Sequence, residues 1–423
     1  MLPFILLAAL VTRAGLFLVA LPDERRFITS DALGYLALAH DLRAGYLEPQ
    51  SPLFAAGLSR TPVYPLFIAA VLRFSGSVAG VVAAQIVLAI ATVWVVYRLG
   101  RELLSDRAAA LGAMLLALDP ASIIYTNQLQ PEALFTALVT CAVLLWVRSQ
   151  ATDDGRVAAV AGVCLGLAIL TRPIALYLPL VLLALSCRSP RRRRLWAGLL
   201  APVFLLAGGW VARNAAVTGI PLLSTIQGVN LLEYRAAGAI AHESKVPLET
   251  ARDQLRSRLA QTLRPEANVG EVSRAQSRLA FEVLREHPRG WIMITADGAL
   301  RLLAGTGQTA LSRISGNDSP AAARNAWTTA AALVLMLAAA VPLLGALAGV
   351  VALWRDGRRG AVGLLLGVAA YFVLMAAGPE ANTRFRVPAA PFLGLLAGAG
   401  VVAALARAAG SGERAAGPRP GSP

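Results

Sequence analysis

The chain has 423 residues and a mass of 44.2 kDa; 57% of its residues are hydrophobic, 15% are charged, and the mean hydropathy is +0.62. Soluble domains average about 45–50% apolar and about 25% charged residues, so this composition excludes a soluble globule and predicts an all-α polytopic membrane protein. A net charge of +15 and a pI near 10.9 do not point to nucleic acid, because no base-reading motif accompanies them.

The first apolar run, residues 2–22, is long, has no basic residue before it and no small-x-small cleavage site after it, and is read as a retained helix. Arg13 sits mid-way along it, where an unpaired Arg costs about 2.5–3.5 kcal/mol, so an acidic or lipid-phosphate partner is expected. Further runs at about 77–97, 108–126, 130–148, 157–172, 173–187, 195–212, 326–353, 361–378 and 388–408 bring the expected count to ten spans. If 291–304 also crosses, the count is eleven.

Charge orients the spans. With the N-terminus inside, the inner loops carry Arg98, Arg101 and Arg107, then Arg148 and Arg156, then Arg188 with Arg191 to Arg194, then Arg355, Arg358 and Arg359. Residues 1–212 thus form an N-terminal transmembrane module whose first outer loop is 23–76; 213–325 is a long extracytoplasmic loop, 326–410 holds the C-terminal helices, and 411–423 reads as a disordered polar tail. No internal repeat is visible.

Within the first outer loop, Ser30 is the expected N-cap of a surface helix from Asp31 to about Arg43, and 60–74 reads as a second helix too short to cross. In the long loop, 244–262 and 270–286 read as amphipathic helices and 291–304 as an interfacial one.

Charged groups at outer helix ends are few. Asp31 in FITSDALGY suits either a first-turn acid or an ionised general base; Glu132 and Arg172 stand at outer span ends, and Glu380, Arg384 and Arg386 cluster in GPEANTRFRVP. Basic residues outside run against the positive-inside bias and suit an anionic ligand. Cys141, Cys164 and Cys187 lie in or beside apolar runs with no metal-site spacing, and His40, His242 and His287 form no zinc motif. No Walker loop or dinucleotide fingerprint is present, so the membrane or the outside must supply any donor or energy.

Together SDALGYLALAHDL, RTPVYPLFIA, IIYTNQLQPEALFTALV, GLAILTRPIALYLPL, GWVARNAAVTGIPLLSTIQGVNL and EANTRFRVPAAPFLGLLA resemble the GT-C membrane glycosyltransferases, closest to the family-39 protein mannosyltransferase and lipid A aminoarabinose transferase group. The resemblance implies a GT-C-like bundle and transfer of a hexose or pentose from a polyprenyl-phosphate carrier to an outer-face acceptor, with inversion. It places the protein in the plasma (inner) membrane with its site facing the outside or periplasm, and leaves open a glycolipid, a polysaccharide or a protein as acceptor.

Asp31 matches the family's catalytic carboxylate. The family often has Asp-Glu where this chain has Asp31-Ala32, so the companion acid and a divalent metal stay open, with Asp23, Glu24 and Asp41 as substitutes. Displacing a lipid phosphate needs positive charge on the leaving group, for which Arg60, Arg172, Arg213 and Arg384 are candidates. Tyr64 and Glu132 match positions that shape the cavity, Glu380 and Arg386 complete the expected binding set, and STIQGVNLLEY is expected to cover the cavity and choose the acceptor. A flippase for lipid-linked sugars and a polysaccharide polymerase or ligase are the alternatives; candidate groups gathered at one face favour the transferase over the flippase.

Overall fold

A computed structural model describes residues 1–44, 58–186, 192–316 and 326–415, whose regular elements are all helices with no strand among them. In chain order the helices are α1 (Leu2–Ala20), α2 (Ser30–Ala44), α3 (Val63–Ser75), α4 (Val78–Leu103), α5 (Asp106–Ala117), α6 (Pro120–Thr126), α7 (Glu132–Thr152), α8 (Gly155–Thr171), α9 (Leu178–Ser186) and α10 (Arg192–Thr218). They continue with α11 (226–244), α12 (Leu248–Thr262), α13 (Val269–Glu286), α14 (Pro288–Ala304), α15 (Gln308–Ile314), α16 (Ala326–Arg355), α17 (Arg359–Ala376) and α18 (Ala390–Ala415).

Every apolar run expected to span is helical, but the count differs from ten. Seven of the described helices are long and apolar enough to cross a membrane, or eight if the bent pair α5–α6 is one span. The runs at 157–172 and 173–187 are shorter helices, because Arg172 leaves the helical region and Pro173 cannot continue α8. α14, the candidate eleventh span, is also too short by this measure. α18 runs to Ala415, five residues into the expected tail; 416–423, Cys187, Arg188 and Arg191 lie outside the described residues.

Helices pack through small residues, as helices in lipid must when no water drives them together. On α18, a Cβ added to Gly398 would lie 2.3 Å from the Ala108 carbonyl oxygen of α5, and one added to Gly349 of α16 would overlap the Leu396 carbonyl. Large side chains such as Phe4, Phe204, Leu205 and Leu344 are instead exposed on the outside of the bundle, where lipid would receive them. Residues Leu232, Ile240, Leu255, Leu279 and Val283 build a separate small core that folds α11, α12 and α13 together.

Arg13 shows how one apparent liability is resolved. It is 1% exposed and donates to the backbone, Nη1 to the Ala117 carbonyl at 2.8 Å and Nη2 to Leu116 at 3.4 Å, with the nearby acid Asp119 attracting its charge. Pro120 breaks the α5–α6 span there, bending it by 50°, and the carbonyls that lose helical partners accept from the guanidinium.

The two ends of the bundle differ in chemistry. Glu102, at the end of α4, pairs with Arg148 near the end of α7 at 3.0 Å, and Arg358 before α17 donates to the Leu103 carbonyl. The expected inner loops therefore meet at one end. α7 carries the bundle across: its 21 residues rise about 30 Å at 1.5 Å each, and its other end begins at Glu132.

Candidate active site

Asp31 stands in the first turn of α2. The cap of that helix is Thr29 rather than Ser30: its hydroxyl accepts from the Ala32 N–H at 3.2 Å, leaving Ser30 inside the helix. Two arginines hold the carboxylate, Arg60 Nη2 at 3.0 Å on Oδ1 and Arg384 Nη1 at 2.8 Å on Oδ2. Burial raises the Asp31 pKa, but the hydrogen bonds and charges of Arg384 and Arg60 outweigh it and hold the carboxyl below its ordinary value.

Glu132 is 1% exposed and accepts from Arg172 Nη1 at 2.5 Å, while Arg384 Nε lies 3.2 Å from the same oxygen. Arg384 thus bridges both carboxylates. Two guanidiniums lie over the Phe385 ring, Arg172 at 5.0 Å and Arg384 at 4.8 Å, and Arg60 lies over Tyr35 at 4.8 Å. Three arginines face two carboxylates, so the cluster carries one excess positive charge.

This cluster divides two cavities. The first, about 280 Å³, is lined by Arg60, Glu132, Arg172, Arg235, Glu380 and Arg384 together with apolar residues that include Ile174, Leu176, Tyr177, Leu231 and Met375. The second, about 720 Å³, is lined by Asp31 with hydroxyl and amide side chains, Arg301 and Arg313. Gln130 and Arg384 line both.

Asp31, Glu132, Arg172, Arg60, Glu380 and Arg384 are therefore brought together as the sequence predicts. Three expected binding residues are not on the cavities. Tyr64 is wholly buried and donates its hydroxyl to Gln85 Oε1 at 2.7 Å; Gln85 in turn donates to the Thr126 and Gln128 carbonyls, so Tyr64 positions the segment carrying Gln130. Arg386 donates to the Leu303 carbonyl at 2.8 Å and pairs with Asp119 at 3.3 Å, anchoring the turn that presents Arg384. Arg213 lies over Trp210 at 4.8 Å and donates to Asn214, because α10 continues to Thr218 and carries it away from the cavities.

Of the substitutes for a companion acid, Glu24 accepts from the Ala79 N–H and Asp23 caps the turn at Arg25, and neither they nor Asp41 line a cavity. No group of three His, Cys, Asp or Glu side chains is placed to hold a metal ion among the described residues. Both Asp31 oxygens already accept from arginines, and the charge excess around the two acids is positive, so these residues do not fit a divalent cation.

Sequence reading misses Gln130, Tyr35 and Arg235. Gln130 accepts from Arg384 at 2.9 Å and donates to Thr29, and Arg235 meets Glu380 at 3.4 Å and the Met375 carbonyl at 2.7 Å. A signal for Gln130 exists in the run Asn127, Gln128, Gln130, whose three amides interrupt an apolar stretch and are all buried. The STIQGVNLLEY segment roofs the first cavity with Ser224, Ile226, Gln227, Asn230 and Leu231, and Ser224 is tied to the Ser59 carbonyl at 2.7 Å, next to Arg60.

Replacing Glu132 by Gln leaves Arg172 without its carboxylate partner inside the protein. Breaking a buried pair in this way costs about 3–5 kcal/mol. A thermal unfolding scan in detergent is expected to show Glu132→Gln far less stable than wild type; an unchanged midpoint would show that Arg172 does not depend on Glu132.

Known proteins are similar to the chain in part of its sequence or in its fold. The family model for dolichyl-phosphate-mannose-protein mannosyltransferases matches residues 59–211. The apo oligosaccharyltransferase of Archaeoglobus fulgidus is similar with a TM-score of 0.55 and 14% identity, over 100% of this chain and 52% of that one. The same organism's oligosaccharyltransferase AglB, in complex with an inhibitory peptide and a dolichol-phosphate, gives 0.51 and 13% over 100% and 52%. ArnT from Cupriavidus metallidurans, bound to undecaprenyl phosphate, gives 0.46 and 16% over 100% and 82%. The chain spans about half the length of the oligosaccharyltransferase chains. No curated protein sequence matches it. By its all-helical architecture, its apolar spans and its likeness to these oligosaccharyltransferase structures, the chain is a membrane protein that shares their fold, and its residues 59–211 match the mannosyltransferase family model.

Proposed function

We propose that the protein transfers a sugar from a polyprenyl-phosphate carrier to an acceptor hydroxyl, with Asp31 as general base and Arg60, Arg172 and Arg384 holding the phosphate. One observation carries this reading: a carboxylate and three arginines meet where an arginine-lined, partly apolar cavity adjoins a polar one. The match to a family named for a dolichyl-phosphate-linked sugar donor, over residues that include Arg60, Glu132 and Arg172, supports the donor class.

In the reaction the acceptor oxygen attacks the anomeric carbon and its proton passes to Asp31. The bond from that carbon to the phosphate oxygen breaks, and the electron pair leaves with the phosphate against the arginines. A single displacement inverts the anomeric centre. The site lies at the end of the bundle opposite the Arg-rich turns, and the positive-inside rule supports the reading that this end faces outside the plasma membrane.

The arginines that hold the phosphate are those that mask Asp31, so donor and carboxylate compete for them. Donor binding draws Arg60 and Arg384 away and removes what keeps the Asp31 pKa low. The acid limb of the kcat profile, which reports the bound enzyme, is therefore expected at higher pH than that of kcat/KM, which reports the free enzyme. Coincident limbs in the two profiles would show that Asp31 stays masked.

Release of free undecaprenyl phosphate from a panel of glycosyl undecaprenyl phosphates, in lipid discs with a crude envelope fraction as acceptor, tests the reading. A transferase liberates the phosphate from one donor of the panel. A flippase leaves every donor intact, and that outcome would contradict the proposal.

A further inference from the structure

The second cavity is more than the far side of the first. Asp31 lines only this one, whereas Arg60 and Glu132 line only the other. A general base must lie within hydrogen-bond reach of the hydroxyl it deprotonates, so the acceptor has to approach Asp31 from the second cavity. Gln128, Gln308 and Asn382 are among its side chains and offer both donors and acceptors to a polyhydroxyl ligand.

Its charge is not that of a neutral glycan site. Asp31 and Arg384 cancel, and Arg301 and Arg313 remain. Arg301 pairs at 3.1 Å with Asp297, which is 63% exposed and lies on the helix surface, while Arg313 makes no ion pair among the described residues. Glycines shape the turn between α14 and α15 that lines the cavity beside both arginines: Gly305 packs so closely on Thr383 that a Cβ there would overlap its hydroxyl, and Gly307 takes a φ of +71°.

We infer that the second cavity seats an acceptor that carries a phosphate group close to its reacting hydroxyl, with Arg301 and Arg313 as the anion-binding pair. The inference rests on the reading that the first cavity takes the donor. The phosphate belongs either to a lipid headgroup with free hydroxyls or to a water-soluble phosphorylated polyol, the same chemistry from two sources.

The full chain in phosphatidylcholine discs, with the first cavity saturated by undecaprenyl phosphate, is titrated with glycerol 3-phosphate and separately with phosphatidylglycerol added to the discs. Glycerol and unmodified discs are the neutral controls. One of the two phosphate probes is expected to bind and the controls not; which one binds identifies the source. Arg313→Ala and Arg301→Ala are each expected to weaken that binding by about tenfold, the size of one lost charge-assisted hydrogen bond, and Arg313→Lys to retain most of it.

Undecaprenyl-phosphate affinity measured on the same samples reports on their folding. Failure of both probes to bind, or equal binding by wild type and the two Ala variants, would overturn the inference. Wild type that fails to bind undecaprenyl phosphate would instead strike the donor reading, and the probes are then compared across the variants without it.

Discussion

Asp31→Asn is expected to abolish transfer almost completely while leaving the protein folded and able to bind donor. Asn keeps the shape of the side chain and an oxygen that accepts from Arg60 or Arg384, but it takes no proton. A positioned general base contributes about 10²–10⁴-fold, and the rate is expected to fall by that factor. Donor affinity should rise, since the arginines no longer divide their charge between Asp31 and the phosphate. Equal turnover by wild type and Asp31→Asn would remove Asp31 from the chemistry.

The second large effect is expected at Arg384, through the charge balance of the cluster. With Arg384 present, three arginines surround Asp31 and Glu132; without it, the pairs Arg60–Asp31 and Arg172–Glu132 remain and balance. Arg384→Gln is therefore expected to fold, in contrast to Glu132→Gln, which strands Arg172. The excess charge that would meet the leaving phosphate is gone, however. Removing one preorganised electrostatic donor from a transition state costs about 10²–10³ in kcat, and transfer is expected to fall by that amount. An Arg384→Gln enzyme that turns over normally would show that the leaving group departs elsewhere.

The fold was largely legible because lipid imposes simple rules. Apolar runs marked every long helix, and the arginines of the expected inner turns marked one end of the bundle, where Arg148 and Arg358 are now seen beside the end of α4. Length was the weak point: α8 ends early at Arg172 and the α5–α6 span is broken at Pro120, and a rule that expects about 20 apolar residues per span cannot distinguish these from full crossings. Arg13 could not have been assigned its partner, because the carbonyls it binds are freed by a helix break more than a hundred residues away.

The site was legible where charge stood out against an apolar background, as at Asp31, Glu132, Arg172 and Arg384. Distance in sequence hid the rest. Arg384 reaches Asp31 across 353 positions and Gln130 across 254, and nothing local to Arg386 or Arg213 shows that one would anchor a turn and the other ride away on α10. Tyr64 belongs to the hydrogen-bond relay behind Gln130, a role that needs Gln85 on the neighbouring helix to be seen.

The most direct measurement follows the sugar. Purified protein in lipid is given radiolabelled polyprenyl-phosphate sugars and an envelope acceptor fraction, with wild type beside Asp31→Asn. Label that moves from the lipid to an acceptor with wild type, and stays on the lipid with Asp31→Asn, is the result expected here. Label that remains on the lipid with both, although both bind the donor, would contradict a transferase and leave a protein that carries its ligand unchanged.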